Sequence, residues 1–134
     1  MKIFVDTSAF LAVLNTDDRH HPQARDFWFK IVQEEAMLVV TNYILLETYA
    51  LLQRRLGMEA VRVFSSDVVP ALRVMWVDER LHQLGLSAML AADRRGLSLV
   101  DCISFEAARS FGIRHVFTFD KHFTEQGFIC HPTG

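Results

Sequence analysis

Residues 2–14, KIFVDTSAFLAVL, decide the fold. An apolar strand from Ile3 to Val5 ends at Asp6 and turns at once into an apolar helix, read from Ala9 to Leu14. In an open α/β sheet ligands sit beyond the carboxyl ends of the strands, so a carboxylate placed there is positioned for chemistry. Asp6 has a second reading as the N-cap of the helix, because an Asp oxygen accepts a backbone N–H of the first turn.

Working outward, the same alternation repeats. Ala24, Phe27, Trp28 and Ile31 form one apolar stripe, which predicts a helix over 20–35 with Pro22 in its first turn. His20 and His21 are adjacent on that helix and point in different directions, which argues against shared metal ligation. Met37 to Val40 reads as a strand covered on both faces, and Thr41 and Asn42 supply cap chemistry for a long helix stopped by Gly57. One further amphipathic helix is expected over 58–72, closing near Pro70. Arg73 to Val77 is the third strand, and Asp78 caps a helix over 79–94 that Gly96 ends. Ser98 and Asp101 fit a capping box for the next helix. His115 to Thr118 is the fourth strand, and a last one lies near Phe128 to Cys130. The order β, α, α, β, α, α, β, α, α, β, α, β predicts an α/β fold: a three-layer α/β/α sandwich around a mostly parallel sheet of about five strands. Residues 1–134 are expected to form a single domain.

Four acids stand out against this frame. Asp6 and Asp120 leave the carboxyl ends of strands, Asp101 opens the helix that feeds the fourth strand, and Glu47 projects from the helix after the second. Right-handed crossovers bring these positions to one edge of the sheet. Carboxylates gathered in one pocket repel unless protonated or neutralised, so a divalent cation is implied. Oxygen-only ligands select Mg²⁺ or Mn²⁺ over zinc, and such an ion can clamp a phosphodiester and activate a water. Asp101 keeps its capping reading beside this one, and Asp120 reads equally as a turn or short-helix cap.

Composition narrows the classes. The formal charge of −2 excludes binding to nucleic acid through an overall positive field, so an RNA substrate would need local patches such as Arg54/Arg55 and Arg94/Arg95. Each pair also reads as a helix end that complements the dipole. Cys102 and Cys130 have neither redox nor metal spacing and read as buried thiols. No run reaches the roughly 20 apolar residues of a membrane span, and the chain enters a strand without a basic leader, so no membrane and a cytoplasmic location are expected.

The strings FVDTSAFLAVL, ILLETYALL, SLVDCISF and TFDKHF, in this order and spread over nearly the whole chain, resemble the PIN domain, most closely the VapC-type toxins of toxin–antitoxin pairs. The resemblance implies a Mg²⁺- or Mn²⁺-dependent endoribonuclease that hydrolyses RNA. It carries catalytic and metal-binding roles onto Asp6, Glu47, Asp101 and Asp120, with Asp6 and Asp101 as the surest ligands. Thr7, Ser8 and Thr118 match small hydroxyl residues that line such pockets, with Thr118 placed to orient Asp120; Ser104 shares the turn of Asp101. The family further implies a homodimer and a small antitoxin protein covering the acidic pocket. Two other readings are weighed: a non-catalytic PIN module that binds RNA or a partner, and a receiver-like domain in which Asp78 accepts phosphate, assisted by Asp6, Thr118 and Lys121.

Overall fold

A computed structural model describes residues 1–133. Its elements are β1 (Lys2–Val5), α1 (Thr7–Leu14), α2 (His21–Gln33), β2 (Met37–Thr41), α3 (Asn42–Arg55), α4 (Met58–Val63), β3 (Leu72–Met75), α5 (Glu79–Ala92), α6 (Leu99–Ser110), β4 (His115–Phe117), α7 (Lys121–Glu125) and β5 (Ile129–His131). All strand pairs are parallel, in the order β3-β2-β1-β4-β5. From β1 the chain steps outward through β2 to β3, then crosses to the other side of β1 for β4 and β5. Right-handed crossovers therefore put the helices between β1 and β3 on one face of the sheet and those between β3 and β5 on the other. Accordingly α1 packs on α2 and α3, and α5 packs on α6.

The alternation of side chains along a strand feeds both faces. Phe4 meets Phe123, which contacts Phe105 and Phe128, on the α6–α7 side. Phe117 meets Phe27 of α2 on the opposite side, where Phe10 also packs edge-on against Phe64. Ile3, Phe4, Val5 and Val40 are fully buried, which explains why these strands read as continuous apolar runs.

Three local expectations change. The segment after Gly57 is not one α-helix: α4 passes into a π-helical turn at Phe64–Val68 and a 3-10 turn at Val69–Ala71. Pro70 has no N–H to continue the α ladder, and Val69 donates instead to the Phe64 carbonyl. Helix α5 ends at Ala92 and not at Gly96, because Asp93 adopts the left-handed conformation (φ 50°) and donates its N–H to Met89. Of the two thiols Cys102 is buried and Cys130 only partly so; both are free. Among the described residues no helix is long and apolar enough to cross a membrane.

Candidate active site

Strand β1 is where the direction of strand addition reverses, and ligand crevices form at such a switch point. Asp6 follows β1 directly, and its N–H donates to the Phe117 carbonyl of neighbouring β4 at 3.0 Å. The capping reading of Asp6 holds. Its Oδ2 caps α1 by accepting from the Ser8 N–H at 3.4 Å, and it also accepts the Ser8 hydroxyl at 2.7 Å and the Thr118 hydroxyl at 3.0 Å. The side chain is only 4% exposed. Burial, opposed by Ser8 and aggravated by Asp101, pushes the Asp6 carboxyl up to about 6.

Asp101 likewise does two things. Its N–H donates to Ser98 Oγ at 3.1 Å and its Oδ2 accepts the Ser98 N–H at 3.2 Å, which completes the capping box and fixes the side chain at the start of α6. Burial first, then the charge of Asp120, raises its carboxyl above the ordinary range, against the pull of the Ser98 N–H. Asp120 caps α7 through the His122 N–H at 2.9 Å, while its own N–H donates to Thr118 Oγ1 at 2.9 Å. Glu47, half-buried on α3, is raised by burial and by the charges of Asp101 and Asp120; a hydrogen bond from Thr7 opposes the shift. Asp101 and Asp120 lie near enough to act electrostatically on both Asp6 and Glu47.

The hydroxyls divide. Thr7, Ser8 and Thr118 all bond into the site, and Thr7 also accepts the Thr48 hydroxyl at 3.1 Å. Ser104 is fully buried on α6, and its hydroxyl has no hydrogen-bond partner. Asp78, the phosphoacceptor of the receiver reading, is exposed at the end of edge strand β3, where its side chain caps α5 through the Leu81 N–H at 2.8 Å. It takes no part in the cluster.

Sequence reasoning passed over His122. Its Nδ1 lies 2.8 Å from Asp120 Oδ1 and 4.0 Å from Asp101 Oδ2, buried and out of line for a hydrogen bond with either. One ligand atom each from Asp101, Asp120 and His122 falls within 4.8 Å of the other two. The signal was available: His122 stands two residues after an acid that caps its own helix, so the cap turn folds the imidazole back over that carboxylate. A buried nitrogen without a hydrogen bond, set beside the carboxylates of Asp101 and Asp120, is a donor set that fits a divalent cation.

The PIN domain model matches residues 3–129. The chain belongs to the PIN domain family. It is 33% identical over 128 residues, 95% of each protein, to the 23S rRNA-specific endonuclease VapC20 of Mycobacterium tuberculosis. The crystal structure of VapC20, described as a Sarcin-Ricin loop cleaving toxin, superposes with a TM-score of 0.83 at 32% identity, covering 95% of this chain and 96% of that one. The DNA-bound VapBC of Salmonella typhimurium shares the fold at a TM-score of 0.69 and 16% identity, over 98% of this chain and 97% of that one. This PIN domain is thus of the VapC type in sequence and architecture, and the receiver reading falls away.

Proposed function

We propose that this PIN domain is a metal-dependent endoribonuclease, the toxin of a VapBC-type toxin–antitoxin pair, with residues 1–134 as its single nuclease domain. The observation that carries the reading is the meeting of Asp6, Glu47, Asp101 and Asp120 at the sheet's switch point, together with VapC20 being named an rRNA endonuclease. Asp6, Asp101 and Asp120 would hold a divalent cation, Mg²⁺ or Mn²⁺, with Glu47 completing the site directly or through water. When bound, such an ion neutralises the acids, draws in the phosphodiester and lowers the pKa of a water.

The protein's own groups do the rest. Ser8 and Thr118 hold Asp6 Oδ2, while Oδ1 carries none of these bonds and is left for a ligand. Glu47, whose carboxyl burial raises above its ordinary range, would take the proton of the attacking water. Water adds to phosphorus as one P–O bond to ribose breaks, and the leaving ribose oxygen takes a proton from solvent. The imidazole of His122 adds a nitrogen donor, which favours Mn²⁺ over Mg²⁺ relative to an all-oxygen set.

The deciding experiment is cleavage of total RNA by the purified protein with Mg²⁺ or Mn²⁺, beside EDTA, Asp6→Asn and Asp101→Asn. Discrete fragments that vanish in all three controls are expected. Undiminished cleavage by both variants would overturn the assignment, and RNA binding without any metal-dependent cleavage would favour the non-catalytic module. A small antitoxin and a homodimer, in the cytoplasm, complete the proposal; co-purification with the product of a neighbouring reading frame and light scattering test them.

A further inference from the structure

A pocket of about 290 Å³ opens beside the acids, bordered by Ser8, Arg19, His20, Arg55 and Phe119. Ser8 is the shared wall: its hydroxyl donates to Asp6 Oδ2 on one side and accepts the Phe119 N–H at 2.9 Å on the other. The rings of His20 and Phe119 lie parallel, with centroids 4.4 Å apart and planes at 10°. One bond holds the imidazole and a second holds the backbone that carries it. The Arg19 Nε–H donates to His20 Nε2 at 3.1 Å, and Asp18 Oδ1, from the one carboxylate at the pocket rim, accepts the His20 backbone N–H at 2.8 Å. Arg19 and Arg55 are exposed and form no ion pair among the described residues. In a chain of net charge −2, next to four acids, two exposed guanidinium groups beside a flat ring stack suit an anionic ligand with an aromatic face.

We propose that this pocket binds the nucleotide adjoining the scissile bond of single-stranded RNA. Its base extends the His20–Phe119 stack, while Arg19 and Arg55 contact phosphate oxygens. The inference rests on the ribonuclease reading and deepens it. Because Ser8 borders both sites, a chain whose phosphodiester sits at the acids can continue into this pocket. Stacking tolerates any base, and phosphate contacts position the chain without reading it, so the pocket supplies grip and register.

The test uses the Asp101→Asn protein in EDTA, so that no RNA is cut. Two fluorescein-labelled probes are titrated: a short single-stranded RNA of mixed sequence, and the same ribose-phosphate chain without bases. Phe119→Ala should weaken the first roughly tenfold and leave the second unchanged, which isolates the contact between ring and base. Phe119→Leu keeps the bulk and should show the same selective loss, so the result does not depend on the alanine variant folding. Arg55→Ala should weaken both probes and reduce the salt dependence of binding. Equal losses on both probes, or none, would overturn the proposal. So would an acidic peptide that occupies the pocket while RNA leaves it untouched, marking a protein-docking surface. The two readings fail separately: lack of metal-dependent cleavage by the wild type counts against the nuclease, and lack of base dependence counts against this pocket alone.

Discussion

The hydroxyl of Thr118 donates to Oδ2 of Asp6 at 3.0 Å, joining residues 112 positions apart. Thr118 Oγ1 itself accepts the Asp120 N–H at 2.9 Å, so one side chain links the acids that follow β1 and β4. Its contribution lies in placing two carboxylates relative to one another before any ligand arrives.

Thr118→Val keeps the β-branched shape and removes both bonds. The Asp6 carboxyl should then titrate above its present value of about 6, because one of the bonds that opposes burial is gone. Affinity for Mn²⁺ should fall by about 10- to 100-fold, the usual cost of losing a group that orients a ligand. The metal-free fold should lose about 1–3 kcal/mol, since buried polar groups are left without partners. Calorimetric titration with Mn²⁺ and thermal melting in EDTA measure the two effects; an unchanged Mn²⁺ affinity would mean the bond does not place the acids.

The pH dependence of stability follows from burial. Asp6 titrates at about 6 in the fold against an ordinary 3.8, so between those values the folded state holds a proton that the unfolded chain has released. Stability of the metal-free protein therefore falls as pH rises through this interval, by roughly 3 kcal/mol from Asp6, and Glu47 and Asp101 act in the same direction. Saturating Mn²⁺ requires the ionised acids and should reverse the slope. Melting temperatures taken across this range in EDTA and in Mn²⁺ share every other titration, so their difference isolates the site. Parallel curves would exclude a cation on these carboxylates.

Gly85 is buried on α5 against α6. A Cβ at this position would stand 3.2 Å from the Ile103 Cα and collide with the Ile103 side chain. Gly85→Ala should gain up to about 1 kcal/mol of helix propensity and lose about 1–3 kcal/mol to overpacking, for a net loss. The displaced helix carries Asp101, so Mn²⁺ affinity should fall together with the melting temperature. Ile103→Val trims the colliding methyl and should restore part of both; an additive effect of the two substitutions would place the strain elsewhere.

Much of this was legible in the chain because strand runs, caps and stops are local. The KIFVD and TFD junctions fix Asp6 and Asp120 at strand ends, and Ser98 with Asp101 announces a helix start that the structure shows bond for bond. What stayed hidden depends on how elements cross. Periodicity places Glu47 on α3 without saying which way it faces, since that follows from the packing of α3 beside α1 and α6. The stack of His20 on Phe119 joins a loop after α1 to the turn after β4, and no spacing encodes it. The π-helical turn at Phe64–Val68 and the left-handed Asp93 settle by a few backbone bonds, which composition does not rank.

Three of the four acids double as caps: Asp6 for α1, Asp101 for α6 and Asp120 for α7. Asn at any of them keeps an oxygen for the backbone N–H and surrenders only the charge. Codons for Asp and Asn differ by a single base. A lineage carrying this gene thus stands one transition from a copy that keeps its helix caps but loses one charge of the acidic cluster, so selection can alter the site without discarding the fold.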